Sequence, residues 1–197
     1  MNKSEKTRAF ILEKAAPIFN VKGYQATSLS DITEATKLTK GALYGNFGNK
    51  NELAAAAYRY NYNQMATRFR EHLAVHQTAL GKLKAFLDFY KTNWKQVFES
   101  GGCPILNAST EVDDQLDYLR PVVRQSIKDW HRSLVSIIDM GKEKGELKGG
   151  IDTAYYAYSM VSMIEGGIAM AKVMGEQIYL FNIIDRVAKM IDDEMRV

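Results

Sequence analysis

The sequence predicts an all-α protein. Apolar residues recur at steps of three and four along most of the chain, no stretch sustains the period-two alternation of a half-buried strand, and only three prolines interrupt 197 residues. Hydrophobic residues make up 46% and charged residues 25%, enough apolar material to bury a core. No apolar run approaches the roughly 20 residues that span a bilayer, and the start, MNKSEKTRAF, lacks the apolar stretch and cleavage site of a secretory signal. A single cysteine, Cys103, excludes an internal disulfide. The expectation is a cytoplasmic protein with no membrane association.

In the first helix, Ile11, Leu12, Ala15, Ile18 and Phe19 lie at helical spacing, and Gly23 is a natural stop. Pro17 lies inside it, removes a backbone donor and predicts a kink. Ser28 followed by Asp31 has the pattern of a capping box and starts a helix of about two turns, with Leu29, Ile32 and Ala35 on its apolar face. Thr39 is the next N-cap; its helix is shorter, turns Leu43 inward and ends near Phe47 and Gly48. Two short helices joined by a tight turn, with a supporting helix ahead, describe a helix-turn-helix. Asn49, with Glu52 three residues on, starts a long helix over about 51–76. Further helices are expected over about 78–99 and, after the break at Ser100-Gly101-Gly102, over about 114–144 with a kink at Pro121. The last two are expected over about 151–174 and 179–195. The chain thus reads as two modules, 1–50 and 51–197.

Charge separates the same two modules. Residues 1–50 hold eight Lys/Arg against four Asp/Glu, whereas residues 51–197 hold eighteen against nineteen. A basic N-terminal quarter is the footprint of an anionic partner, or else a solvated surface. The stretch TKGALYGNFGNK, Thr39 to Lys50, favours the partner. It is no phosphate-binding P-loop, because it follows a helix and does not end in Gly-Lys-Ser/Thr. In a helix-turn-helix the second helix enters the DNA major groove with its first residues near base edges. Lys40 then reaches a base edge or phosphate, Gly41 and Ala42 keep the helix thin, and Tyr44 one turn on can donate its hydroxyl to a phosphate. Lys50 at the next helix start, and Thr27 and Ser28 at the preceding one, make further phosphate contacts.

The stretch GYQATSLSDITEATKLTKGALYGNFGNKNEL, Gly23 to Leu53, resembles the DNA-binding region of the TetR/AcrR family of bacterial transcriptional regulators. The resemblance rests on a GY-x-x-TS start, a D-I-x-x-A helix, a T-K-G-x-L-Y turn and helix, and F-x-x-K-x-x-L after it. It implies about nine helices: a three-helix reading head, then a C-terminal helical domain that binds a ligand and dimerises. Double-stranded operator DNA is the implied partner, contacted by Thr27, Ser28, Thr39, Lys40, Gly41, Ala42, Tyr44, Asn46 and Lys50. Three positions depart from the family pattern. Lys37 stands where the glycine of the turn is usual, Asn46 replaces a frequent histidine, and Gly45 replaces a bulkier residue.

The family also implies a small-molecule effector. Tyr62, Phe86, Phe89, Tyr90, Trp94, Tyr118 and Trp130, with Met160 and Met163, are as a group candidate pocket residues suited to a hydrophobic or aromatic molecule; each alone reads first as core. GGCPILNASTEVDD resembles a Gly-Cys-x-x-x-Asn segment of one branch of the family, where it forms a helix facing the pocket. Cys103 there reads as a sensor thiol or as inert buried core. For a homodimer the last helices offer Tyr155, Tyr158, Phe181, Ile184, Val187 and Ile191, and Gly166 and Gly167 permit close helix approach. His72 and His76 are four apart, but no HExxH surrounds them, and no catalytic triad or nucleotide fingerprint is present. The reading is a ligand-responsive repressor, not an enzyme, with no cofactor and no metal.

Overall fold

The computed structural model describes residues 2–197. Nine α-helices follow in order among the described residues: α1 (Lys3–Lys22), α2 (Leu29–Thr36), α3 (Lys40–Asn46), α4 (Lys50–Ala74), α5 (Ala79–Glu99), α6 (Pro104–Val112), α7 (Arg120–Glu143), α8 (Thr153–Met174) and α9 (Ile178–Met190), the last continued by a π-helical turn, Ile191–Met195. An isolated antiparallel bridge pairs Leu147 with Arg196.

Local chemistry sets most of the boundaries. Asn2 and Glu5 close a capping box on α1, which runs through Pro17 and stops at Gly23 with φ +99°. Ser28 and Asp31 close a second box on α2, Thr39 caps α3 through the Ala42 amide, and Asp152 caps α8 through the Tyr155 amide. Lys37 ends α2 at φ 57°, the only non-glycine at positive φ among the described residues. The expected helix over about 114–144 is corrected at its start: α7 begins only at Arg120, so Pro121 occupies a first-turn position instead of a kink, and residues 104–112 ahead of it form the separate α6. Proline fits the first turn, where a missing N–H costs nothing, but its ring would collide with the carbonyl four residues back had the helix begun at Asp114.

The Cα packing divides the chain into two compact units interleaved in sequence. One holds residues up to Met65 together with Ser100–Ser126; the other holds Ala66–Glu99 and Ile127–Val197. In the first unit Ile11, Phe19, Ile32, Leu43 and Phe47 are buried, and Tyr24 stacks on Phe19 with ring centroids 5.7 Å apart. In the second, Phe69, Phe86, Phe89, Tyr90 and Trp130 form a buried aromatic cluster with centroid separations of 5.3 to 6.5 Å.

Candidate nucleic-acid interface

α3 is seven residues long and buries only Leu43. Behind it, the α3–α4 junction is fixed from α1: the Arg8 guanidinium lies 4.0 Å from the Phe47 ring centre and donates to the Asn46 carbonyl. This anchor has no local signature, so sequence patterning does not find it. On the outer face, Lys40 and Tyr44 form one stripe four residues apart, and Gly41 and Gly45 form the next. Thr39, Lys40, Gly41 and Tyr44 are exposed, with Tyr44 at 44%, and Ala42 is half-buried. A Cβ at Gly45 would meet nothing within 4 Å, and one at Gly41 only the Thr39 hydroxyl at 3.9 Å. The protein's own packing therefore requires neither glycine, although each costs roughly 0.5–1 kcal/mol relative to alanine inside a helix. Close approach by something outside the protein is what such a stripe permits.

The flanking residues fall into two groups. Ser28 is exposed, and its amide and hydroxyl are 2.7 and 2.8 Å from an Asp31 carboxylate oxygen. The same oxygen accepts from Lys22 Nζ at 2.7 Å; Lys22 first, then the Ser28 amide and hydroxyl, hold the Asp31 carboxyl down at about 2. Thr27 is fully buried, and its hydroxyl donates to the Gly23 carbonyl at 2.6 Å. Its side chain shapes the turn and does not reach the surface, unlike the expectation for it. Asn46 Nδ2 donates to the Ala42 carbonyl at 2.9 Å, and Lys50 Nζ donates to the Gln25 carbonyl at 2.9 Å. Both are half-buried. The exposed set is thus narrower than the expected one and centres on α3.

Two family models match the chain: "Bacterial regulatory proteins, tetR family" over residues 11–57, and "Tetracyclin repressor-like, C-terminal domain" over residues 79–187. The chain belongs to the TetR family. It is accordingly a DNA-binding transcriptional regulator and not an enzyme. The crystal structure of a TetR-family transcriptional regulator from Cytophaga hutchinsonii is 36% identical, aligns over 98% of this chain and 96% of its own, and superposes with a TM-score of 0.93. A TetR transcriptional regulator from Chloroflexus aurantiacus J-10-FL is 33% identical over the whole of both chains, with a TM-score of 0.92. The probable HTH-type transcriptional regulator ArpR of Pseudomonas putida is 24% identical over 93% of this TetR-family chain and 88% of its own length.

The other expected residues lie as follows. Tyr62 and Tyr118, half-buried, and Cys103, 1% exposed, belong to the first unit, and Tyr62 stacks on Tyr58 at 6.4 Å. Phe86, Phe89, Tyr90, Trp94, Trp130, Met160 and Met163 belong to the second. There Trp94 packs edge-on against Phe98 and Phe181, and Met160 is fully buried. Ile184, Val187 and Ile191 are buried, and Gly167 lies against α9, where a Cβ would come 3.2 Å from the Ile183 Cβ. Tyr155, Tyr158 and Gly166 face outward from α8. Two grooves run along that face. One, of about 560 Å³, is lined by Tyr155, Tyr158, Met163, Arg186 and Glu194 among others; another, of about 290 Å³, includes Gly166, Gly167, Met170 and Ile183. No helix among the described residues is long and apolar enough to cross a membrane.

Proposed function

We propose that this regulator is a cytoplasmic repressor that binds a palindromic DNA operator as a homodimer and is released by a small hydrophobic or aromatic effector. The observation that carries the reading is the outer face of α3, where Lys40 and Tyr44 flank two glycines that no intramolecular contact requires. Lys40, Thr39 and Tyr44 reach base edges or phosphates, Gly41 and Gly45 let the helix backbone approach the groove, and Ser28 adds a phosphate contact at the start of α2. Asn46 and Lys50 contribute by fixing the end of α3 and the turn before α2, and Lys50 adds positive charge. Residues 1–50 form the reading domain, and 51–197 the domain that senses the effector and pairs with a second copy. The outward face of α8, with Tyr155, Tyr158 and Gly166, is the pairing surface. One reading head buries little area, whereas a two-fold pair reads two half-sites about one helical turn apart or a multiple of that. The effector shifts DNA affinity because it binds the two conformations unequally.

The test is selection of genomic DNA by the purified protein, wild type against Tyr44→Ala, at two salt concentrations. A palindromic motif that the wild type recovers, that weakens steeply with salt and that the variant loses is the expected result. Equal weak background from both proteins overturns it.

A further inference from the structure

We infer that Glu111, supported by Asn107, is a positioning residue for operator binding: from α6 it holds the α1–α2 turn in the conformation that presents the reading head to DNA. The inference rests on the operator-binding reading above and concerns a stretch, GGCPILNASTEV, to which that reading gives no role.

Gly101 and Gly102 both have positive φ, +94° and +98°. A Cβ at Gly101 would lie 3.1 Å from the Asn20 carbonyl oxygen and 3.0 Å from Val21 Cγ2, so only glycine lets this loop pass so close to the end of α1. Asn20 is buried, and its Nδ2 donates to the carbonyls of Ser100 at 2.7 Å and Gly102 at 3.2 Å. Asn107 Nδ2 in turn donates to the Asn20 carbonyl at 3.0 Å and the Gly101 carbonyl at 2.8 Å. One helical turn further along the same face of α6, Glu111 accepts from two successive backbone amides, Tyr24 at 2.9 Å and Gln25 at 2.7 Å.

Those amides belong to the turn that leads into α2. The Gln25 carbonyl holds Lys50 Nζ, the Gly23 carbonyl accepts from the Thr27 amide and hydroxyl, and Ser28 then caps α2. One carboxylate thus sets the path of the chain from the end of α1 to the exposed start of α2, and with it the place of Lys50. Charge-assisted bonds to both N–H groups give it the directionality for that task. The apolar centre of the head comes from other residues: Ile11, Phe19, Ile32, Leu43 and Phe47, none of them on α6. Removing the carboxylate therefore disorders the turn while the head stays folded.

The experiment uses the full-length protein and an operator selected by the wild type. Affinity for that operator and for a random duplex is measured for wild type, Glu111→Gln and Glu111→Ala, with hydrogen exchange read at the Tyr24 and Gln25 amides. Glu111→Ala is expected to weaken operator binding tenfold or more, to leave random-duplex binding within about twofold, and to speed exchange at both amides. Glu111→Gln keeps one acceptor oxygen and should fall between; it also decides the matter if the alanine variant does not fold. Operator affinity within twofold of wild type in both variants overturns the inference alone. A wild type that selects no operator overturns the operator-binding reading, and this inference with it.

Discussion

The reading head and the second unit both bury an apolar core, but what stands out around each differs. Around the head, geometry is set by directed polar contacts: the Ser28–Asp31 box with Lys22, the Arg8 guanidinium over Phe47, and the Glu111 carboxylate on two amides. In the second unit the dominant feature is the packed rings of Phe69, Phe86, Phe89, Tyr90 and Trp130. Burial of apolar area is strong but nearly directionless; hydrogen bonds add little net stability but fix positions. A region that must present side chains to a repeating external lattice needs the second kind of force, and a scaffold needs the first.

The contrast predicts that stability and DNA affinity respond to different residues. Phe86→Ala should produce the largest stability loss, about 3–5 kcal/mol in denaturant unfolding, because it opens a cavity beside the three rings it touches, Phe69, Tyr90 and Trp130. Operator affinity of the fraction still folded should stay near wild type. A drop in affinity beyond the loss of folded protein would break the comparison. Arg8→Ala comes next, at about 1–3 kcal/mol, since it strands the Asn46 carbonyl and removes the cation from Phe47. Here affinity should fall further than stability does, because the far end of α3 is released; equal losses would place Arg8 with the scaffold.

Two smaller substitutions separate strain from function. Lys37→Gly relieves a left-handed conformation and should stabilise the head by up to about 1 kcal/mol, read as a higher urea midpoint. Gly45→Ala should stabilise by a similar ~1 kcal/mol, because the new methyl meets open space and helix propensity improves. It should nonetheless weaken operator binding, since the methyl stands on the face proposed to approach DNA. A Gly45→Ala protein that is more stable and binds equally well would remove the argument drawn from the glycine stripe.

What was legible in the sequence follows the same division. Caps and stops within a few residues of each other, such as Ser28 with Asp31, Thr39, Gly23 and Asp152, fix the helices of the head and the start of α8 because the partners are local. The acid-rich DDQLDY has the charges of a first turn, but α7 starts only at Arg120, where Pro121 sits in the first turn and avoids the cost of an interior proline. Thr27 read as a surface hydroxyl because its chemistry suits phosphate, and only the fold shows its hydroxyl turned to Gly23. Arg8 and Glu111 act across 38 and 87 residues, to Asn46 and Tyr24, and no spacing rule reaches that far.

The smallest effect tests whether the first unit also carries polar groups that do nothing for its stability. Tyr24 and Tyr58 are fully buried, and among the described residues their hydroxyls make no hydrogen bond of normal geometry. Asn61 and Ser126 lie near them but donate elsewhere, to the Ala16 carbonyl at 2.7 Å and the Val122 carbonyl at 3.2 Å. Burial above all pushes both phenols well above their ordinary range near 10. A pKa raised on folding gives stability that is complete below the unfolded value and is lost as pH rises through and beyond it. Wild-type stability should therefore be insensitive to these groups at neutral pH and should decline above about pH 10. Tyr58→Phe should be within about 0.5 kcal/mol of wild type at pH 7, because it removes an unsatisfied hydroxyl and keeps the ring. At pH 11 it should be the more stable of the two. A clear loss at pH 7 would mean the hydroxyl is bonded in solution, and would move Tyr58 from the packed part of the unit to its positioning network.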